Sequence, residues 1–190
     1  MKTDWLDIVH LHSCPLPVLE QGDVIRALLD CRASGKLRVP AYSGDNAEIG
    51  FAISCGAFGS LQTSVSLCDQ AHLNHRAARA DHAGIGVIAK RPLAGAVWRH
   101  AERPGDFAEG QYWDRFQAMG LTNQEDWADA ALRFAAFHTG AASAIVGTAK
   151  PANLRRNLDA LARGPLPAEL ALAIRSAFQH HGNDSWPGLI

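Results

Sequence analysis

Five times along the chain a short apolar run is followed by an amphipathic stretch, with no low-complexity linker in between. That rhythm restricts the fold to parallel strands joined by helical crossovers. The strand-like runs are Leu6–His12, Leu37–Ser43, residues 59–65, residues 85–89 and residues 144–146. The run 85–89 is continuous and rich in β-branched side chains, as strands covered on both faces tend to be. Helical apolar spacing appears at 18–33, through Val18, Ile25, Leu28 and Leu29, and further helices are expected at 46–55, 71–83, 126–138, Pro151–Ala162 and 167–180. Gly35 and Gly84 stand where helices stop. Residues 95–124 break the rhythm with Trp98, Pro104, Gly105, Gly110, Tyr112, Trp113 and Phe116. They read as a long ordered loop whose aromatic side chains pack over the scaffold, with Trp98, Tyr112 and Trp113 available as an apolar wall.

At 190 residues and 47% hydrophobic composition, the chain is long enough for one domain over residues 1–190 with a real core. A formal net charge of -1 gives no basic face for nucleic acid and directs attention to small-molecule partners. Cys14, Cys31, Cys55 and Cys68 are scattered without a CxxC pair, so reduced thiols in a cytoplasmic protein are expected. No apolar stretch approaches the roughly 20 residues of a membrane span, and no membrane association is expected. His10 and His12 fall on one face of a strand, yet no third ligand accompanies them, so no metal site is expected.

Five such units fit either an open doubly wound sheet or part of a (β/α)8 barrel. The GxGxxG fingerprint of the open sheet is absent after the first strand. Gly84-Ile85-Gly86 follows a helix and precedes a strand, which is the wrong context, so the balance shifts toward the barrel.

Several segments, in order, resemble aldo/keto reductases: LDIVHLHS at 6–13, GKLRVPAYSG at 35–44, LQTSVSLCDQ at 61–70, GVIAKRPLAGAVW at 86–98 and ALRFAAFHTGAASAIVGTAKPANLRRNL at 131–158. The resemblance covers almost the whole chain. It implies a (β/α)8 TIM-barrel fold, present as a partial barrel of about five βα units (strands 4 to 8) plus a C-terminal helix. The implied activity is an oxidoreductase moving hydride between NAD(P)H and a small aldehyde or ketone, with the site at the C-terminal strand ends. NADP (NADPH) is the implied cofactor, with NAD as the alternative.

On that resemblance His12 is the catalytic histidine that orients the carbonyl and stabilises a developing alkoxide. Ser43 and Gln62 hold the nicotinamide carboxamide, for which a hydroxyl and an amide supply donor and acceptor. The family's asparagine is replaced by Gly44, so Asp45 or Asn46 is the substitute. Without the family, Ser43-Gly44-Asp45-Asn46 is a turn followed by a helix cap. Lys90, Arg91, Pro92 and Leu93 correspond to the segment that lies along the cofactor, where many members place an aromatic ring. Here the cations would meet the nicotinamide or the pyrophosphate, while a solvated pair closing a strand is the plainer alternative. Gly147, Thr148, Ala149, Lys150, Asn153, Arg155 and Asn157 correspond to the turn and helix that grip the adenosine phosphate, with Pro151 suited to the first turn. Gly147 and Asn153 replace the family's usual cations, leaving Arg155 or Arg156 to supply the charge.

The family's tyrosine, lysine and aspartate come from strands before the histidine strand, which is where this sequence starts. The 190 residues are therefore expected to be a truncated piece of the barrel, inactive by themselves, with a non-catalytic NAD(P)-binding module or an inert fragment as the alternative. Five of eight strands leave two edges, Leu6–His12 and 144–146, so self-association through them is expected.

Overall fold

The computed structural model describes residues 2–71, 79–121, 126–182 and 185–189. Five strands form one parallel sheet in sequence order: β1 (Leu6–His12), β2 (Leu37–Ser43), β3 (Ser60–Ser64), β4 (Gly86–Lys90) and β5 (Ser143–Ala144). Consecutive parallel neighbours with helical crossovers are the arrangement of a (β/α) barrel wall, and β1 and β5 are its outer strands. β5 is Ser143–Ala144, so of the strand expected at 144–146 only Ala144 is in it.

Helices α1 (Leu16–Gln21), α2 (Asp23–Ala33) and α3 (Asn46–Ser54) follow the first two strands. The single helix expected at 18–33 is two helices, because Gly22 takes φ 85, which ends α1 and turns the chain before Asp23 opens α2. The helix expected at 71–83 lies largely outside the described residues, and 79–82 are helical ahead of the Gly84 turn.

Within the described residues 95–121 the expected long loop is largely helical. After a short 3₁₀ segment at Ala94–Arg99, Phe107–Met119 forms the thirteen-residue helix α4. Asp106 caps it by accepting from the Glu109 N–H at 3.0 Å, and Gly120, at φ 57, ends it. Three helices complete the described chain: α5 (Trp127–Phe137), α6 (Pro151–Ala162) and α7 (Ala168–His181).

Side-chain alternation decides what each sheet face meets. Val9, Leu11, Tyr42, Leu61 and Val87 join Leu28, Ile49 and Ile53 in one core cluster against the helices. A second cluster, including Val97, Tyr112, Phe116, Phe134, Ile174 and Phe178, lies among α4, α5 and α7. Each such side chain contributes roughly 1.5–3 kcal/mol on burial. Among the described residues no helix is long and apolar enough to cross a membrane. All four cysteines are unpaired thiols.

Candidate functional site

Parallel register aligns three of the expected site residues. His12 lies opposite Ser43 and Ser43 opposite Gln62, so the three form one row across the ends of β1, β2 and β3. They share the face turned away from the α2–α3 cluster. Gln62 donates from Nε2 to Ser43 Oγ at 3.2 Å, which fixes the amide and leaves its carbonyl oxygen as an acceptor. Ser43 is buried, Gln62 half-buried and His12 exposed. His10 sits one pleat behind His12, with Nε2 buried and without a partner. Burial and then the neighbouring His12 hold its imidazole below the usual range. Among the described residues no group of three or more His, Cys, Asp or Glu is placed to hold a metal ion.

Gly44 has a packing reason. A Cβ there would stand 2.5 Å from the Tyr42 hydroxyl, whose ring passes over the glycine to donate to the Cys14 carbonyl at 3.0 Å. Neither proposed substitute for the family asparagine is available. The Asp45 carboxylate does not cap α3. It accepts from Thr63 Oγ1 and the Ser64 N–H, both at 2.8 Å, from Ser64 Oγ at 3.2 Å, and from the Lys90 ammonium at 2.8 Å. Asn46 is committed to the main chain of Gly188. The pair Asp45–Lys90 is buried, with side-chain exposures of 2% and 11%, so Lys90 is not half of a solvated pair and ties β4 to β2. Sequence spacing could not reveal this, because the four contacts of Asp45 come from three residues on two strands, β3 and β4.

Past the end of β4 opens a cavity of about 840 Å³, within the range of small-molecule pockets, and His12, Ser43 and Gln62 are not among its lining residues. Lys90, Arg91, Pro92 and Leu93 form one end, and Gly147, Thr148, Asn153 and Asn157 the other. At that second end α6 begins with Pro151 and has no side-chain cap. Thr148 Oγ1 instead accepts from the Lys150 N–H and from Asn153 Nδ2, each at 3.2 Å, which shapes the turn. Pro151 has no N–H, and the Asn153 and Leu154 N–H groups donate to the Lys150 carbonyl, so what this helix start offers anionic oxygen is chiefly the positive end of its dipole.

Ala149, Lys150 and Arg155 are exposed and outside the cavity lining, and Ser43 and Gln62 also lie outside it. Arg156 lines the wall instead of Arg155. The helical period carried the signal, since 153, 156, 157 and 160 share a face and 155 does not. Arg99 and Arg163 also line the wall and were missed by sequence reasoning. Arg156 and Arg163 are held by carboxylates on the facing α5 end, at 3.4 Å to Asp126 and 2.5 Å to Asp129. Arg99 has only an N–H bond to the Ala96 carbonyl among the described residues. Of the aromatic residues expected as a wall, Trp98 lines the cavity, Tyr112 is buried below it, and Trp113 donates to the His100 carbonyl.

Below the strand ends Asp69 is buried near Tyr112 Oη at 3.4 Å and Arg115 Nη1 at 3.9 Å. Burial raises its carboxyl to about 7, against the opposing pull of Arg115. With a folded value above the unfolded one, the folded chain binds the extra proton between about pH 4 and pH 7. Stability from this group is full below that window and falls as pH rises through it. Thermal melts from pH 4 to pH 8 should show a declining contribution that Asp69→Asn removes; an unchanged slope in the variant contradicts the assignment.

A parallel sheet in sequence order with helical crossovers and a polar row at its strand ends is the arrangement of part of a (β/α) barrel. The family model described as "Aldo/keto reductase family" matches residues 1–178, and the chain belongs to that family. Among solved structures it is similar to the apo form of aldo-keto reductase AKR11C1 from Bacillus halodurans. That match has 18% identity and TM-score 0.77, covering 93% of this chain and 63% of the other. The aldo-keto reductase from Klebsiella pneumoniae in complex with NADPH matches at 24% identity and TM-score 0.65, covering 93% and 60%. The glycerol dehydrogenase AKR11B4 from Gluconobacter oxydans matches at 16% and 0.72, covering 96% and 61%. The chain thus spans about three fifths of the length of these structures, and their likeness establishes the fold as a partial (β/α) barrel. No curated protein matches it.

Proposed function

We propose that the cavity between β4 and α6 holds a nicotinamide dinucleotide, NADPH with NADH as the alternative, and that the chain is the cofactor-holding part of a carbonyl oxidoreductase. The observation that carries this is one cavity joining Lys90, Arg91, Pro92 and Leu93 to Gly147, Thr148, Asn153 and Asn157. Both groups were expected at a cofactor from the same family resemblance, on segments more than 50 residues apart in the sequence. The residues fit the group: cations and an uncapped helix start suit its phosphates, and the Ser43–Gln62 pair offers an acceptor and a hydroxyl to a carboxamide. A solved relative carries NADPH. When bound, the dinucleotide supplies or accepts the hydride. Arg91, Arg99 and Arg156 hold anionic oxygen, and Thr148 and Asn153 keep the turn open. His12 at the strand end orients the carbonyl of an aldehyde or ketone.

Proton donation is the weak step in these 190 residues. Both tyrosines are committed elsewhere: Tyr42 is on the other sheet face from His12, and Tyr112 faces Asp69. Burial raises both phenols further. Losing positioned acid catalysis costs roughly 10²- to 10⁴-fold in rate. NADPH should therefore quench protein fluorescence saturably, while its oxidation with an aromatic aldehyde stays near background. Absence of quenching contradicts the cofactor assignment, and brisk oxidation contradicts the loss of turnover.

A further inference from the structure

Residues 185–189 return over the strand ends after α7. Gly182 permits the turn, since a Cβ there would stand 2.2 Å from the Trp186 ring. Trp186 packs edge-on against Phe178 at 5.4 Å, and the Arg115 guanidinium lies 5.5 Å from its centroid. Arg115 also donates to the Pro187 carbonyl at 2.7 Å. Asn46 clamps Gly188 from both sides, accepting from its N–H at 2.8 Å and donating to its carbonyl at 3.1 Å. The Leu189 carbonyl accepts from Ser64 Oγ at 3.2 Å and from the Arg91 guanidinium, and the Leu189 side chain is buried. Residues 186–189 thus cross the ends of β2, β3 and β4 through Asn46, Ser64 and Arg91.

Arg91 is the hinge of the matter, because it lines the cavity while its guanidinium is spent on a main-chain carbonyl. Its backbone sits at φ 56, a conformation that an ordinary residue rarely takes. A neutral carbonyl is a weaker partner for guanidinium than an anionic oxygen.

We infer that residues 186–189 form a strap that competes with an anionic ligand of the cavity for Arg91, so that occupancy loosens the strap and strap release tightens binding. The coupling rests on the dinucleotide proposal for its physiological ligand, but needs only an anion at Arg91. Linkage makes the two effects equal: the closed strap weakens ligand binding by the same factor as the bound ligand weakens strap closure. Gly188 gives a direct handle, since a Cβ there would stand 2.6 Å from Asp45 Cβ and dislodge the clamp.

The test is hydrogen exchange of the Trp186, Gly188 and Leu189 amides in the unmodified chain, with saturating inorganic pyrophosphate and separately with NADPH. It is joined by calorimetric titration of both ligands into Gly188→Ala and Asn46→Ala. Exchange at 186–189 should accelerate with pyrophosphate, and either variant should bind it about 5-fold or more tightly than the unmodified chain. Pyrophosphate acceleration without NADPH binding would sustain the strap and overturn the dinucleotide proposal. NADPH binding with unchanged strap exchange under both ligands would do the reverse. If Gly188→Ala does not fold, Asn46→Ala and the unmodified chain decide the matter.

Discussion

Asp45→Ala lowers the stability of the chain by about 3–5 kcal/mol in urea unfolding, the cost typical of leaving a buried charge without its partner. Lys90 is the charge left behind, with its ammonium 2.8 Å from Asp45 and its side chain 11% exposed. Thr63 Oγ1 and the Ser64 N–H lose their acceptor in the same substitution. Since a domain of this kind holds only about 5–15 kcal/mol in total, much of the population should unfold at modest denaturant. The double variant Asp45→Ala with Lys90→Met should recover a good part of the loss, because it removes the uncompensated charge along with its partner. A surface-like change of under about 1 kcal/mol in the single variant would show that the pair is not buried in solution.

The second large effect lies in binding. Arg99→Ala combined with Arg156→Ala weakens NADPH affinity by roughly 10- to 100-fold. A charge-assisted contact is worth about 1.5–3 kcal/mol, exposure holds these two below that range at about 0.7–1.4 kcal/mol each, and about 1.4 kcal/mol is tenfold. Both residues are exposed on the cavity wall, and the Arg156–Asp126 pair is a solvent-facing one. Stability should therefore stay within about 0.5 kcal/mol of the unmodified chain. Fluorescence titration and a thermal melt on the same sample separate the two outcomes. Equal affinity in the double variant would remove the arginines from the site.

The strands were legible because their patterns are local. Leu6–His12 and Leu37–Ser43 appear with the bounds read from the sequence, and their register sets His12, Ser43 and Gln62 side by side. Helix α4 was hidden by its composition. Aromatic residues and two glycines suggested an irregular segment, although the Asp106 to Glu109 capping spacing and Gly120 were there to be read. The break at Gly22 was hidden by apolar spacing that continues across it.

The candidate site divides along the same line. Residues belonging to one turn and one helix, such as Thr148, Asn153 and Asn157, are adjacent because their sequence is. Helical period alone would have chosen Arg156 over Arg155. The fate of Asp45, Lys90 and Arg91 depends on strands and on residues 186–189 that converge only in three dimensions. Charge at those positions was visible in the sequence, but what it faces was not.

The proposed dinucleotide site is the cavity between the end of β4 and α6. A crystal structure of the chain grown with saturating NADPH tests it most directly. The expected result is continuous ligand density running from Arg91 and Leu93 to Thr148 and Asn157, with phosphate groups at the start of α6. Density at another place on the chain, or an empty cavity at a concentration that saturates the solution titration, would contradict it.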